Sequence, residues 1–145
     1  LKGLSLELGK TLVSLRNYPE AEVHLRKALD LTPDDVEAKY FLGALLVQQT
    51  QHAEGVALLS QVQLARPDLW GTAYYLGKAQ LALGKPAIAL TLLKEAASRA
   101  PNEAPVQYQL ARALQSLGRK TEAAQAFARV SKLQLANNSE SIVMK

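Results

Sequence analysis

The sequence contains no cysteine, which excludes disulfides, thiolate catalysis and zinc sites with cysteine ligands. Aromatic residues make up only 6% of its 145 residues, and no apolar run approaches the roughly 20 residues that cross a bilayer. No basic segment followed by an apolar one opens the chain, so no signal peptide is visible. Because Leu1 stands where a methionine would begin a protein, we expect a fragment of a longer protein. With 48% hydrophobic and 21% charged residues, the chain is expected to be soluble. We expect a bacterial protein, with cytoplasm and periplasm both left open.

Residues that could form a catalytic or metal-binding constellation are also missing. The two histidines, His24 and His52, stand on different segments, and neither has a second ligand at the spacing that metal sites use. Both are interpreted as surface or packing residues. The glycines form no cluster that could cradle a phosphate. We therefore predict that the chain is not an enzyme and has no cofactor or metal.

The charges that are present are divided unevenly between the two halves. Residues 1–69 carry 7 Lys/Arg and 9 Asp/Glu, a net charge of −2, whereas residues 70–145 carry 10 and 4, a net charge of +6. One interpretation is solvated surface charge, which serves solubility. The other is a partner whose acidic groups meet the C-terminal half.

The strongest pattern in the sequence is a repeat of 34 residues. One column contains only small residues: Gly9, Gly43, Gly77 and Ala111. The column before it contains only leucines: Leu8, Leu42, Leu76 and Leu110. Prolines close the first three units, and Leu135 takes that place in the fourth. We predict four repeats, at 2–35, 36–69, 70–103 and 104–137, and a C-terminal tail at 138–145.

Each repeat contains two apolar-periodic segments separated by a turn, which predicts an all-α array of helix-turn-helix units. The first helices should cover about 2–15, 35–49, 69–83 and 103–117, and the second about 19–32, 53–65, 87–99 and 121–134. Residues after the closing prolines should cap the next helix: Asp34, Asp68 and Asn102. The small column should let the two helices of a repeat approach closely by meeting small residues on the second helix.

Two stretches show the pattern most clearly: "YFLGALLVQQTQHAEGVALLSQVQLARP" and "YYLGKAQLALGKPAIALTLLKEAASRAP". Their order of small and large residues and their terminal proline resemble the tetratricopeptide repeat family, and the resemblance covers residues 2–137. The usual aromatic near each repeat start is replaced by other residues: Ser5, Lys39, Ala73 and Gln107. The resemblance implies a right-handed superhelical α-solenoid whose concave groove binds peptides.

Eight residues are predicted to line that groove, because an advance of 100° per residue points them away from the small column. They are Tyr40, Phe41, Tyr74, Tyr75, Lys78, Tyr108, Gln109 and Arg112. Phe41 and Tyr75 point most directly at a ligand, whereas the tyrosine column is equally consistent with packing between repeats. Lys78 and Arg112 are equally consistent with a solvated surface charge and with contact to a ligand.

Some family members bind chaperone C-termini through a lysine–asparagine clamp. That clamp does not carry over, because its asparagine column here holds Lys10, Ala44, Lys78 and Arg112.

The leading functional hypothesis is a scaffold that binds a peptide or helix of a partner protein, with acidic groups on the partner meeting the basic end. Self-assembly of the solenoid is one alternative. Binding of single-stranded nucleic acid is another, disfavoured because no basic run exists. We expect the last helix to end near Ala136, with a stop at 137–139. The apolar group at 142–144 is expected either to dock on an exposed apolar surface or to be a disordered end.

Overall fold

The computed structural model describes residues 3–143, and the side chains of residues 3–137. These residues form eight α-helices and no strand: α1 (Leu4–Ser14), α2 (Tyr18–Leu31), α3 (Val36–Gln48), α4 (His52–Ala65), α5 (Trp70–Ala82), α6 (Pro86–Arg99), α7 (Ala104–Ser116) and α8 (Lys120–Val143). The predicted all-α array of helix-turn-helix units is confirmed, and the predicted bounds of α1–α7 lie within one or two residues of those observed. None of the eight helices is long and apolar enough to cross a membrane.

The last helix is longer than predicted. A stop was expected at 137–139, but α8 continues to Val143. The closing proline of the other repeats is replaced by Leu135, and asparagine or serine inside a helix costs only about 0.5 kcal/mol each. Nothing in this stretch therefore forces the helix to end. The predicted docking of the apolar group at 142–144 concerns side chains outside the described residues.

The predicted N-caps are wrong by one residue. Helix α3 is capped by Asp35, whose carboxylate accepts a hydrogen bond from the Ala38 N–H at 3.1 Å. Helices α5 and α7 begin after Leu69 and Glu103, neither of which makes a side-chain cap. The residue directly after each proline lies in the preceding turn, so its side chain is too far back to reach the helix. Asp68 instead pairs with Arg66 at 3.0 Å.

The glycine column allows close approach within the first three repeats, but its nearest neighbour is a leucine rather than the expected small residue. The expected small residue is met as well in the second repeat, where a Cβ atom on Gly55 would lie 3.1 Å from the Gly43 carbonyl oxygen. A Cβ atom built on Gly77 would lie 2.6 Å from Leu93 Cγ on the second helix. The same contact recurs for Gly43 with Leu59 and for Gly9 with Leu25. All three leucine side chains are completely buried. Each glycine therefore leaves space for a leucine, and the close approach is between a backbone and a large side chain.

A second column, at the turn inside each repeat, requires a left-handed backbone. Its residues have positive φ values of 59° at Arg16, 66° at Thr50, 78° at Gly84 and 75° at Gly118. In each turn the next N–H donates to the carbonyl five residues back, as Lys85 does to Gln80 at 2.9 Å, which is the Schellman pattern. The third and fourth repeats therefore have glycine, the residue that this conformation favours, after the first helix, whereas the first and second repeats have Arg16 and Thr50.

The first helices lie side by side. Contacts join α1 to α3, α3 to α5 and α5 to α7. Three of the second helices, α2, α4 and α6, each pack between two successive first helices, and α8 packs on α7. The first helices therefore form one continuous surface, on which side chains from successive repeats meet.

Substitution of Gly77 by valine should destabilise the protein by about 1–3 kcal/mol, because the new side chain overlaps Leu93. Helix propensity alone predicts the opposite sign, since glycine is the poorer helix former. Urea unfolding followed by circular dichroism measures the change. Combining Gly77→Val with Leu93→Ala should cost less than the sum of the two single changes, and strict additivity would contradict the overlap.

Substitution of Thr50 by glycine should stabilise the protein by about 1 kcal/mol, because a β-branched residue is strained in the left-handed region. The matched control is Gln49→Gly, next to it in the chain but with φ at −89°. That control should destabilise, since it only adds backbone freedom to the unfolded chain. Thermal melts of both variants decide, and a lower melting temperature for Thr50→Gly would contradict the strain.

Candidate peptide-binding groove

Four of the predicted groove residues form a connected cluster across α3 and α5. Ring centroids are separated by 5.5 Å for Tyr40–Phe41, 6.2 Å for Tyr40–Tyr75 and 4.9 Å for Tyr74–Tyr75, all with edge-on geometry. Aromatic pairs in this arrangement attract one another beyond the area that they bury. We call these four residues the aromatic cluster. It holds the rings of two neighbouring repeats in fixed positions.

Within the cluster, Tyr40 and Tyr74 contribute most to packing between repeats. The Tyr40 hydroxyl lies directly over the backbone of Gly71, where any side chain would collide with it. Tyr74 packs against Ala73 and Val106. Burial, helped by the neighbouring Tyr75 hydroxyl, raises the pKa of Tyr40 and of Tyr74 to about 12. Both residues are half-buried.

Phe41 and Tyr75 occupy the column that was expected to face a ligand, and both are half-buried. The Lys10 ammonium lies 5.6 Å from the centre of the Phe41 ring, within the range of a cation–π contact. The Gln48 amide approaches the Tyr75 hydroxyl at 3.5 Å, and burial raises the pKa of Tyr75. These two rings therefore combine apolar area with polar neighbours.

Tyr108 stands apart from the aromatic cluster. Its ring pairs with Phe127 of α8, with centroids 6.1 Å apart, and the residue is 44% exposed. The tyrosine column was expected to continue through it. Its separate position leaves the fourth repeat without a ring next to Tyr74 or Tyr75 in the described structure.

A cleft of about 760 Å³ opens beside the aromatic cluster, between the start of α3 and the start of α5. The residues that line it include Tyr40, Phe41 and Trp70, together with the exposed Arg66 and Asp68. Clefts of this volume are typical of ligand sites in proteins. Trp70 was missed from the sequence. Two features of the sequence could have identified it. Trp70 is the sole tryptophan, and the residue next to it, Gly71, leaves a gap without a side chain on the helix face that carries Tyr74 and Tyr75.

The other three predicted residues converge on a smaller cavity of about 220 Å³, between α3, α5 and α7. Lys78, Gln109 and Arg112 line it together with His52 and Gln48. Gln109 is only 7% exposed, although it was expected on the groove surface. The buried Gln109 Oε1 and His52 Nδ1 atoms have no hydrogen-bond partner within the described structure. His52, interpreted as a surface or packing residue, is half-buried in this position.

The column that contains Lys10, Ala44, Lys78 and Arg112 differs in its ion pairs between the first repeat and the last two. Lys10 donates a hydrogen bond to Glu37 at 2.6 Å and another to Glu7 at 3.3 Å. Both bonds raise the pKa of Lys10, and the bond to Glu37 has the larger effect. Lys78 and Arg112 form no ion pair with any residue that the structure describes. The two cations at this end of the column therefore differ from Lys10, whose charge is paired within the protein.

The arrangement is that of a helical repeat scaffold. A family model described as tetratricopeptide repeat matches residues 12–81 and 80–139, and the chain therefore belongs to the tetratricopeptide repeat family. A search of curated proteins found no match.

Solved structures of MamA have the same fold. MamA of AMB-1 is 29% identical, with a TM-score of 0.77 over 91% of this chain and 78% of that one. MamA of MSR-1 is 26% identical, with a TM-score of 0.75 over 92% and 76%. MamA from Desulfovibrio magneticus RS-1 is 24% identical and shows the fold alone, with a TM-score of 0.79 over 91% and 75%. The predicted α-solenoid is confirmed, and its fold is that of protein-interaction scaffolds.

Stability should fall as the pH rises above about 10, where an unfolded tyrosine ionises but the buried hydroxyls do not. The folded pKa values of about 12 for Tyr40 and Tyr74 mean that their contribution is complete below pH 10 and is lost through pH 12. The double variant Tyr40→Phe, Tyr74→Phe should show a flatter decline in urea titrations across this window. Tyr108→Phe alters an exposed ring and should keep the wild-type slope. Equal slopes for all three proteins would contradict the assignment.

Proposed function

We propose that the protein is a scaffold that binds an extended segment or short helix of a partner protein in the groove along its first helices. The observation that carries this proposal is the aromatic cluster, which continues across α3 and α5 and borders the cleft of about 760 Å³. Fixed rings beside a cleft offer apolar area at little cost in side-chain entropy. Aromatic side chains dominate the binding energy of many protein interfaces for this reason.

The roles proposed for the groove residues follow from their burial. Phe41 and Tyr75 provide the contact surface for apolar side chains of the partner. Tyr40 and Tyr74 hold those rings in place, since the Tyr40 hydroxyl lies over Gly71 and the Tyr74 side chain packs against Val106 of the next repeat. Tyr108 is exposed but lies apart from these rings, against Phe127 of α8, and is proposed as a separate contact for the partner.

The basic end of the groove favours partners with acidic groups. Lys78 and Arg112 belong to successive repeats and line one cavity with Gln109. Opposite charge across an interface mainly raises the association rate and selects among partners. The proposed ligand therefore has an apolar part over the aromatic cluster and an acidic part near α7.

The double variant Phe41→Ala, Tyr75→Ala should bind at least about 30-fold more weakly to peptides selected from an array with the wild-type protein, as expected for loss of two central aromatic contacts. Fluorescence anisotropy of labelled peptides measures the affinity, and helical circular dichroism checks the fold.

The matched control removes two large apolar side chains from the second helices. Leu31→Ala with Leu64→Ala changes residues that are 62% and 87% exposed and lie outside the groove. Wild-type affinity in this control, with loss in the aromatic variant, is the expected result. Unchanged binding by the aromatic variant would place the site elsewhere on the molecule.

A further inference from the structure

We infer that two copies of this chain form a two-fold symmetric dimer through the groove between the second helices α4 and α6. This groove has a volume of about 420 Å³, and its floor includes Leu76 and Gln80 of α5. It lies on the side of the second helices, whereas the aromatic cluster lies on the surface formed by the first helices. The inference therefore does not depend on the proposed peptide groove.

The grooves on either side of this one have charged residues at their edges. Between α2 and α4, Arg26 donates hydrogen bonds to both oxygens of Glu54, at 2.9 and 3.2 Å. The groove beneath this ion pair measures only about 220 Å³. Between α6 and α8, the equivalent positions hold Lys94 and Glu122, again a cation and a carboxylate. Charge at these two positions is thus the usual arrangement in this array.

The middle groove lacks both charges. Its equivalents of the ion-paired residues are Ser60 and Ile88. No charged residue occurs at 55–65 of α4 or at 86–93 of α6, although 19 positions would carry about four at the 21% average of the chain. Two large aliphatic side chains are exposed there, Leu64 by 87% and Ile88 by 50%. We call residues 55–65 and 86–93 the neutral patch.

The floor of the middle groove is also more open than its counterparts. Gln80 occupies a column that holds leucine in the other three repeats. The leucines of the second and fourth repeats, Leu46 and Leu114, are 0% and 3% exposed, whereas Gln80 is half-buried. Side chains from outside can therefore enter this groove, where no ion pair covers the floor.

The neutral patch has the properties that a contact between identical surfaces requires. In a two-fold dimer the same patch is used on both molecules, so any net charge on it meets a like charge. The neutral patch avoids this repulsion. It also combines exposed aliphatic side chains with an open groove, so that each molecule can offer both the side chain and the space that receives it.

The charges of the four second helices determine the direction of the two-fold axis. Helix α2 carries two Lys/Arg and three Asp/Glu, and α4 carries none and one, so each has a net charge of −1. Helix α6 carries two and one, and α8 carries three and two, so each has a net charge of +1. An axis parallel to the groove places α4 over α6 of the other molecule and α2 toward α8, which brings opposite charges together. An axis across the groove would place each helix over its own copy and like charges together.

The first test rebuilds the missing ion pair. Sedimentation equilibrium of the wild-type protein should show a reversible monomer–dimer equilibrium over about 5–500 µM, as expected for a small interface. Ser60→Arg with Ile88→Glu copies the pair that closes the first groove, and it should weaken the dimer at least about 30-fold while circular dichroism stays helical.

The matched control adds the same two charges elsewhere. Val23→Arg with Leu31→Glu changes α2 residues that are 63% and 62% exposed and lie outside the neutral patch. This control should keep the dimer within about threefold of wild type. Equal loss in both double variants, or an unchanged dimer in Ser60→Arg with Ile88→Glu, would overturn the inference.

The second test measures the direction of the axis. Because the chain has no cysteine, single cysteines can carry nitroxide labels for electron paramagnetic resonance. Ala53→Cys on α4 and Val23→Cys on α2 both use exposed positions. With helices about 10 Å apart, the two labels on α4 should be separated by about one helix spacing and those on α2 by about three, a difference of about 20 Å. Equal distances, or a shorter distance at position 23, would overturn the axis parallel to the groove.

The oligomeric state also separates this surface from the peptide groove. Phe41→Ala with Tyr75→Ala should dimerise as the wild type does, and loss of the dimer in this variant would place self-association in the groove and overturn the inference. A monomer at every concentration would overturn it as well and leave the neutral patch to a partner of another sequence. Species that grow beyond the dimer would show an open contact and overturn the closed two-fold arrangement.

Discussion

The contact between a glycine on the first helix and a leucine on the second determines the geometry of every repeat in which it occurs. A leucine Cγ lies where the glycine Cβ would be, as in Gly77 with Leu93, so the two helices are closer than any larger residue would allow. This spacing sets the thickness of one repeat and hence the distance from one first helix to the next. The aromatic cluster spans that distance, because the rings of Tyr40 and Tyr75 come from successive repeats and are 6.2 Å apart. The spacing of the first helices at the aromatic cluster therefore depends on the glycine–leucine contacts between first and second helices.

Most of the fold could be predicted from the sequence, because a strict period constrains many positions at once. The small column, the leucine column and the closing prolines each locate a helix or a turn, and together they place seven helices to within one or two residues. The details that failed depend on single positions that the period does not constrain. Asp35 caps α3 because the turn needs one more residue after the proline, and α8 continues because Leu135 replaces that proline.

The candidate site could be predicted only in part. Helical periodicity identified which side chains lie on the first-helix surface, and the structure brings four of the aromatics together there. Periodicity does not report depth, so Gln109 was expected at the surface and is almost fully buried. Periodicity also does not show which residues at the start of one helix contact the helix beside it, which is why Trp70 at the start of α5 was not predicted. Comparing columns would have found one hidden feature: Arg16 and Thr50 share a column with Gly84 and Gly118.

That shared column has a consequence for dynamics. An array whose units contact only their neighbours opens locally, and each unit has its own opening free energy. The first two repeats hold non-glycine residues in the left-handed region, whereas the last two use glycine there. Amide hydrogens near the ends of α1 and α3 should therefore exchange with solvent sooner than those near the ends of α5 and α7. The aromatic cluster joins α3 to α5, so it links the half that we expect to open more readily to the half that we expect to open less readily. A ligand bound there would therefore couple the opening of the two halves.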